Sequence, residues 1–128
     1  MVQWGKRMEE GRTLSNTTTQ DRPVCGRFAP SPSGRMHLGN LWSALLAWLA
    51  ARSRGGRMVL RLEDLDPDRC TQTWCDQVMR DLEWLGLDWD EGPAVDSVIP
   101  DEGDMAEQGP CGPYFQSARA ALYDATLD

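Results

Sequence analysis

No stretch of about 18 consecutive apolar residues occurs in the 128-residue chain, so nothing in it predicts a membrane span. The opening stretch MVQWGKRMEEGRTLSNTTTQDRP lacks the apolar core and small-residue cleavage site of a secretory signal, which leaves the cytoplasm as the expected location. Metal ligands are scarce. Cys25, Cys70, Cys75 and Cys111 form no C-x-x-C pair, and His37 is the only histidine. Free thiols in a reducing compartment are the expected state, and no metal site is expected within the chain. Basic residues are missing from one tract: Asp88 to Glu107 holds eight acids and no base. The formal net charge of −7 argues against a nucleic-acid surface. Outside that tract the remainder sums to +1, which leaves the rest of the chain compatible with an RNA-facing surface.

What is present suits a packed globular unit. Apolar residues make up 41% and charged residues 26%, and the length is that of one domain or part of one. Residues 1–22 are polar, rich in Ser, Thr and Gln, without periodicity, and read as a disordered leader. Residues 24–29 read as a strand ended by Pro30, and the segment Pro30-Ser31-Pro32-Ser33-Gly34 must be a loop because two prolines and a glycine break both ladders. A helix is expected from about His37 to Arg54. Leu38, Leu41, Trp42, Leu45, Leu46 and Leu49 fall at helical spacing as its core stripe, and Gly55-Gly56 ends it. Residues 58–62 are nearly all apolar, as in a buried parallel strand. The turn Glu63-Asp64-Leu65-Asp66-Pro67 follows, with Asp64 and Asp66 expected to be solvated.

A second helix is predicted over residues 71–85, with Trp74, Val78, Leu82 and Leu85 on one side and Gly86 as its stop. Residues 88–112 read as a long acidic loop, 114–116 as a short strand, and Ser117 as the cap of a helix over 118–127. Strand, loop, helix, strand is a βαβ unit, so the fold class is α/β with a parallel sheet and a right-handed crossover. Two or three strands do not complete a doubly wound sheet. Residues 23–128 are therefore expected to be the N-terminal part of a Rossmann-type domain.

The segment GRFAPSPSGRMHLGN, from Gly26 to Asn40, concentrates the chemistry. A strand ends, a Gly/Pro/Ser loop turns, and His37-Leu38-Gly39-Asn40 opens a helix whose free N–H groups and positive dipole end favour an anion. The His37 imidazole at that mouth can donate to phosphate oxygens as charge develops. Gly39 has no Cβ, so a flat ring can lie close to the backbone. Together these features suggest ATP.

The same segment resembles the HIGH-type signature of class I aminoacyl-tRNA synthetases in the form used by their glutamate-specific branch. AWLAARSRGGRMVLRLEDLDPDR resembles the next element of that branch, and GLDWDEGP and GPYFQS resemble later ones. The resemblance runs from about Gly26 to the C-terminus and is interrupted by the acidic tract. It implies a Rossmann catalytic domain that makes glutamyl-adenylate from glutamate and ATP, with Mg accompanying the nucleotide, and then transfers glutamate to a tRNA. Carried over position by position, it implies that Arg27 holds a carboxylate of glutamate and that Phe28, Ala29, Pro30 and Ser31 line the same pocket. Glu63 would meet the α-ammonium, and His37, Gly39 and Asn40 would contact ATP, with His37 catalytic. Ser33 can equally be read as shaping the turn.

Within the branch, PSPSG with Ser33, HLGN followed by Leu41, and EDLDP with Leu65 resemble the short members that attach glutamate to queuosine in the anticodon of tRNA(Asp). DEGP and GPYFQS instead resemble the full-length members that charge the 3′ end of tRNA(Glu). The short members often bind zinc in a Cys-rich segment beyond the last helix seen here. The second class I signature, a KMSKS-type loop, is also expected beyond residue 128, since Lys6 is the only lysine. The remaining alternative is a catalytically inactive fragment or interaction module of such a synthetase.

Overall fold

The computed structural model describes residues 23–95 and 109–127; the expected leader at 1–22 and the middle of the expected acidic loop lie outside the described residues. Two strands, β1 (Cys25–Phe28) and β2 (Arg57–Leu60), pair in parallel, with Gly26 beside Met58 and Phe28 beside Leu60. Parallel neighbours cannot be joined by a tight turn; here helix α1 (Leu38–Arg52) makes the crossing. Helix α2 (Gln72–Trp84) follows, and a 3-10 turn at Ser117–Arg119 runs into α3 (Ala120–Leu127). The expected α/β class and βαβ order are present.

Local signals set the helix ends. His37 sits in extended backbone as the N-cap of α1, one residue before the helix begins. Gly55 (φ 64°) and Gly86 (φ 72°) take left-handed conformations just past α1 and α2, where a side chain would be strained. The second strand ends two residues earlier than its apolar run suggests. Leu62 pairs instead with Phe115 in an isolated parallel bridge, and the expected strand at 114–116 reduces to that contact.

The free edge of β2 is occupied by returning chain. The Leu60 N–H donates to the Glu91 carbonyl at 2.8 Å, and Val59 and Glu91 form a parallel bridge. Farther along, the Leu62 N–H donates to the Tyr114 carbonyl at 2.9 Å and the Gln116 N–H to the Leu62 carbonyl at 2.9 Å. The acidic tract therefore does not start as a loop. Its first acids are structural: Asp90 Oδ2 accepts from the Met58 N–H at 2.6 Å and from Arg52 at 2.7 Å, while Asp88 accepts from Trp48 Nε1 at 2.8 Å. Glu91, buried at 4% exposure, takes the Arg57 guanidinium and the Tyr114 hydroxyl.

Leu60, Leu62, Val78, Met79, Leu82 and Phe115 form the centre of the core, each 3% exposed or less. Burying one such side chain contributes about 1.5–3 kcal/mol. Within α2 the buried face is Cys75, Val78, Met79 and Leu82, whereas Leu85, expected on that side, is 41% exposed.

The stripe expected to be core on α1 is not the buried face: Leu41 and Leu45 are half-buried, its other four members are exposed, and the buried residues are Ala44 and Ala51, outside it. Leu38 is 80%, Trp42 58%, Leu46 49% and Leu49 47% exposed. The helix is apolar nearly all round, the pattern of a helix packed on every side, and among the described residues only one of its sides meets a partner. Leu38, Leu41, Trp42, Leu45, Leu85 and Leu87 line an apolar hollow of about 340 Å³ on the uncovered side. No helix among the described residues is long and apolar enough to cross a membrane.

Candidate active site

The loop after β1 and the turn after β2 leave the sheet at the same end, the carboxyl end of parallel strands, where open α/β sheets bind ligands. Backbone bonds hold the two exits together. The Arg61 N–H donates to the Phe28 carbonyl at 3.0 Å and the Glu63 N–H to the Pro30 carbonyl at 2.9 Å. Ser31 and Glu63 consequently face one open cleft of about 400 Å³, completed by Ser33, Asp66, Arg69, Cys70 and Gln116 among others.

The cleft's far wall is braced from within. The Asp66 carbonyl accepts from the Arg69 N–H at 3.2 Å and the Cys70 N–H at 2.7 Å, closing the turn. Burial pushes the Cys70 thiol up, so it stays an S–H, and it lies 3.9 Å from the Glu63 carbonyl as a weak donor. The chemistry offered is mixed: the carboxylates of Glu63 and Asp66, the guanidinium of Arg69, hydroxyls and an amide. Such a set suits a small zwitterion rather than an apolar ligand.

Of the residues expected from sequence, Ser31 and Glu63 are brought together. Pro30 is buried and contributes its carbonyl. Phe28 turns its ring toward the core, and Ala29 is half-buried beside it. Arg27 is exposed on the opposite pleat from Phe28 and does not line the cleft. Asp64, expected to be solvated, is buried at 4% exposure: its Oδ1 accepts from the Ser117 N–H at 2.9 Å and its Oδ2 from the Ser117 hydroxyl at 2.6 Å. Ser117 is accordingly not the helix cap it was expected to be. Asp66 is exposed, as expected. Arg69, Cys70 and Gln116 were missed. Arg69 and Gln116 lie in segments that carry the resemblance, AWLAARSRGGRMVLRLEDLDPDR and GPYFQS, and Cys70 directly follows the first.

At the start of α1, His37 and Gly39 are exposed and Asn40 half-buried. The Gly39 N–H donates to His37 Nδ1 at 3.1 Å, while the Asn40 and Leu41 N–H groups reach the His37 carbonyl at 3.0 and 3.2 Å. The first turn is thus less open to an anion than its sequence suggests, because the imidazole itself takes one of the orphan N–H groups. That bond also selects a tautomer. An accepting Nδ1 carries no proton in the neutral ring, so the proton sits on Nε2 as a donor facing solvent.

No group of three or more His, Cys, Asp or Glu side chains that could hold a metal occurs among the described residues. The four cysteines are unpaired, Cys70 and Cys75 buried and Cys25 and Cys111 exposed.

Comparison with known proteins places this arrangement. The family described as "tRNA synthetases class I (E and Q), catalytic domain" matches residues 23–127. A Glutamyl-Q tRNA(Asp) synthetase of Nitratidesulfovibrio vulgaris is 52% identical over 105 residues, 82% of this chain and 29% of that protein. Glutamate–tRNA ligase 2 of Alkalilimnicola ehrlichii is 52% identical over 98 residues, covering 77% of this chain and 18% of the other. In three dimensions, a glutamate tRNA ligase from Elizabethkingia meningosepticum, solved in complex with its amino acid, superposes with a TM-score of 0.69 at 38% identity over 83% of this chain and 19% of that one. The chain spans less than a third of the length of these relatives. On the match across all of its described residues, the chain belongs to the catalytic-domain family of the class I tRNA synthetases for glutamate and glutamine.

Proposed function

We propose that the whole protein activates glutamate with ATP and transfers it to queuosine in the anticodon of tRNA(Asp). The observation that carries the activation half is the pairing of Ser31 and Glu63 across one polar cleft at the carboxyl end of the strands, with a histidine-capped helix opening from the same loop. Glu63 meets the substrate's α-ammonium and Ser31 offers its hydroxyl, while the fork of Arg27, exposed outside the lining of that cleft, takes a carboxylate that extends beyond it. The Phe28, Ala29 and Pro30 backbone shapes the pocket floor.

In the reaction, an oxygen of the glutamate α-carboxylate attacks the α-phosphorus of ATP in line. The bond to the β-phosphate oxygen breaks, and pyrophosphate leaves with the electron pair. His37, its Nε2–H set outward by the Nδ1 cap, donates to phosphate oxygens as negative charge grows there, while Gly39 and Asn40 lie against the nucleotide. Positioning and charge stabilisation supply most of the rate enhancement. Magnesium arrives with ATP and is held chiefly by phosphate oxygens. The RNA acceptor then displaces AMP from the acyl carbon.

The choice of acceptor rests on the signature variant: Ser33 in PSPSG, Asn40-Leu41 after the histidine, and Leu65 in EDLDP. A second reading, charging the 3′ end of tRNA(Glu), is favoured by DEGP and GPYFQS. The relatives of both kinds reach 52% identity, so identity alone does not choose between them. Incubating the whole protein with labelled glutamate, ATP and either tRNA(Asp), with or without queuosine, or tRNA(Glu) tests the choice. Label on queuosine-containing tRNA(Asp) alone is expected. Label on tRNA(Glu) with none on tRNA(Asp) establishes the second reading, and no label on any RNA supports an inactive module.

A further inference from the structure

Glu63 is held from three directions, and the third has no counterpart in the activity proposed above. On one side its backbone N–H is fixed to Pro30. Before it, Leu62 (0% exposed) is locked to Tyr114 and Gln116 by two backbone bonds of 2.9 Å. After it comes Asp64, whose two carboxylate oxygens take both donors of Ser117, at 2.9 and 2.6 Å. Residues 62 and 64 point inward in the extended chain, so residue 63 between them points outward, into the cleft. The Ser117 end of the contact is equally placed, because Gln116, its immediate neighbour, lines the same cleft. One carboxylate therefore ties together the two segments that present Glu63 and Gln116, although the partners lie 53 residues apart in sequence.

A buried carboxylate is costly unless its lone pairs are met. Two charge-assisted bonds to a serine meet that cost, and a hydrophobic residue would fill the space without it. A carboxylate here is better explained by the geometry it imposes than by the stability it adds. We infer that Asp64 and Ser117 are positioning residues that set where Glu63 and Gln116 stand in the cleft, and so tune recognition of the amino-acid substrate. This rests on Glu63 being the partner of the substrate's ammonium group.

The test is glutamate-dependent ATP–pyrophosphate exchange by the whole protein, with glutamate and ATP varied separately. Loss of one of the two bonds in Ser117→Ala lets the Glu63 turn relax by a fraction of an ångström, and KM for glutamate rises about tenfold. KM for ATP stays within about twofold, while the thermal midpoint falls modestly because the buried Asp64 carboxylate loses one of its two donors. Ser117→Thr keeps the hydroxyl and restores the glutamate KM. Asp64→Asn, which keeps an acceptor for the Ser117 N–H, shows the same split to a smaller degree. Glu63→Gln is the control for the underlying reading. If Glu63→Gln raises the glutamate KM but Ser117→Ala and Asp64→Asn do not, the clamp is overturned and the reading of Glu63 stands. It is equally overturned if both substrates' KM values move together or Ser117→Thr fails to rescue. If Glu63→Gln leaves the glutamate KM unchanged, the reading of Glu63 fails and takes the clamp with it.

Discussion

Replacing Gly39 by alanine separates stability from catalysis at the mouth of α1. A Cβ on Gly39 would lie 3.0 Å from Cε1 and 3.1 Å from Nδ1 of His37, tighter than ordinary van der Waals contact. The imidazole is exposed and can yield. Retreat by a few tenths of an ångström stretches the 3.1 Å bond from the Gly39 N–H, toward about 3.5 Å, where a hydrogen bond is nearly lost. The lost cap costs about 0.5–2 kcal/mol. Against it, alanine is about 0.8–1.0 kcal/mol better than glycine inside a helix, somewhat less in a first turn. The two offset, so Gly39→Ala should leave unfolding free energy within about 1 kcal/mol of the starting value.

Catalysis responds differently. Once Nδ1 is no longer pinned, Nε2–H loses its fixed aim at the phosphates, and a misaimed group costs about ten- to a hundredfold. That approaches the about 100- to 1000-fold loss expected on removing the donor altogether in His37→Ala. The assay is ATP–pyrophosphate exchange beside a thermal melt. A fall in kcat with a near-constant melting midpoint supports the reasoning. A raised KM for ATP with unchanged kcat refutes it, and would mean that the bare glycine serves close approach of the nucleotide rather than the aim of the imidazole.

Three further outcomes follow from packing and charge. Cys25 and Cys111 are exposed and should react promptly with an aromatic disulfide at pH 8, whereas Cys70 and Cys75 should react only after denaturation, the Cys75 thiol being pushed up to about 12 by burial; four equally fast thiols would contradict the packing. The Met58 N–H and then the Arg52 guanidinium hold the Asp90 carboxyl below the usual carboxylate range, so its contribution is full above about pH 4 and lost as pH falls through the depressed value. Asp90→Asn should lower the melting midpoint at neutral pH and flatten the acid limb, and an unchanged acid limb would count against the pairing. The isolated 128-residue chain should bind a hydrophobic dye through Leu38, Trp42, Leu46 and Trp84 and melt without cooperativity; a sharp transition with no dye binding would show that the uncovered face of α1 needs no partner.

Much of the fold was legible because its signals are local. Closing glycines and the spacing of apolar residues act over a few residues, and they placed α1 and α2 to within two residues at each end. Periodicity on α1 picked its leucines and Trp42 as the core stripe, and there the reading failed, because the buried residues are Ala44 and Ala51. Trp42 and Ala44 sit two positions apart in one apolar helix, yet one is 58% exposed and the other 2%. The difference depends on where the neighbouring elements run, and no window of helical length contains them.

The site divides along the same line. His37 as helix opener follows from its own neighbours, and Ser31 with Glu63 followed from motif resemblance. Long-range contacts escape such local reading: Trp48 to Asp88 spans 40 residues and Arg52 to Asp90 spans 38 at the far end of α1, and Asp64 to Ser117 spans 53 beside the cleft. Each depends on how the chain returns along the second edge of β2. Counting charge made Asp88, Asp90 and Glu91 members of one acidic tract, and Asp64 one of several acids in a turn. Their chemistry is set by what receives them. Asp88 and Asp90 anchor the end of α1 through Trp48 and Arg52, Glu91 joins β2 to Tyr114, and Asp64 reaches the segment carrying Gln116. An acid at a strand exit is solvated only if no donor comes back to it, and here the returning segment brings two donors on a single serine.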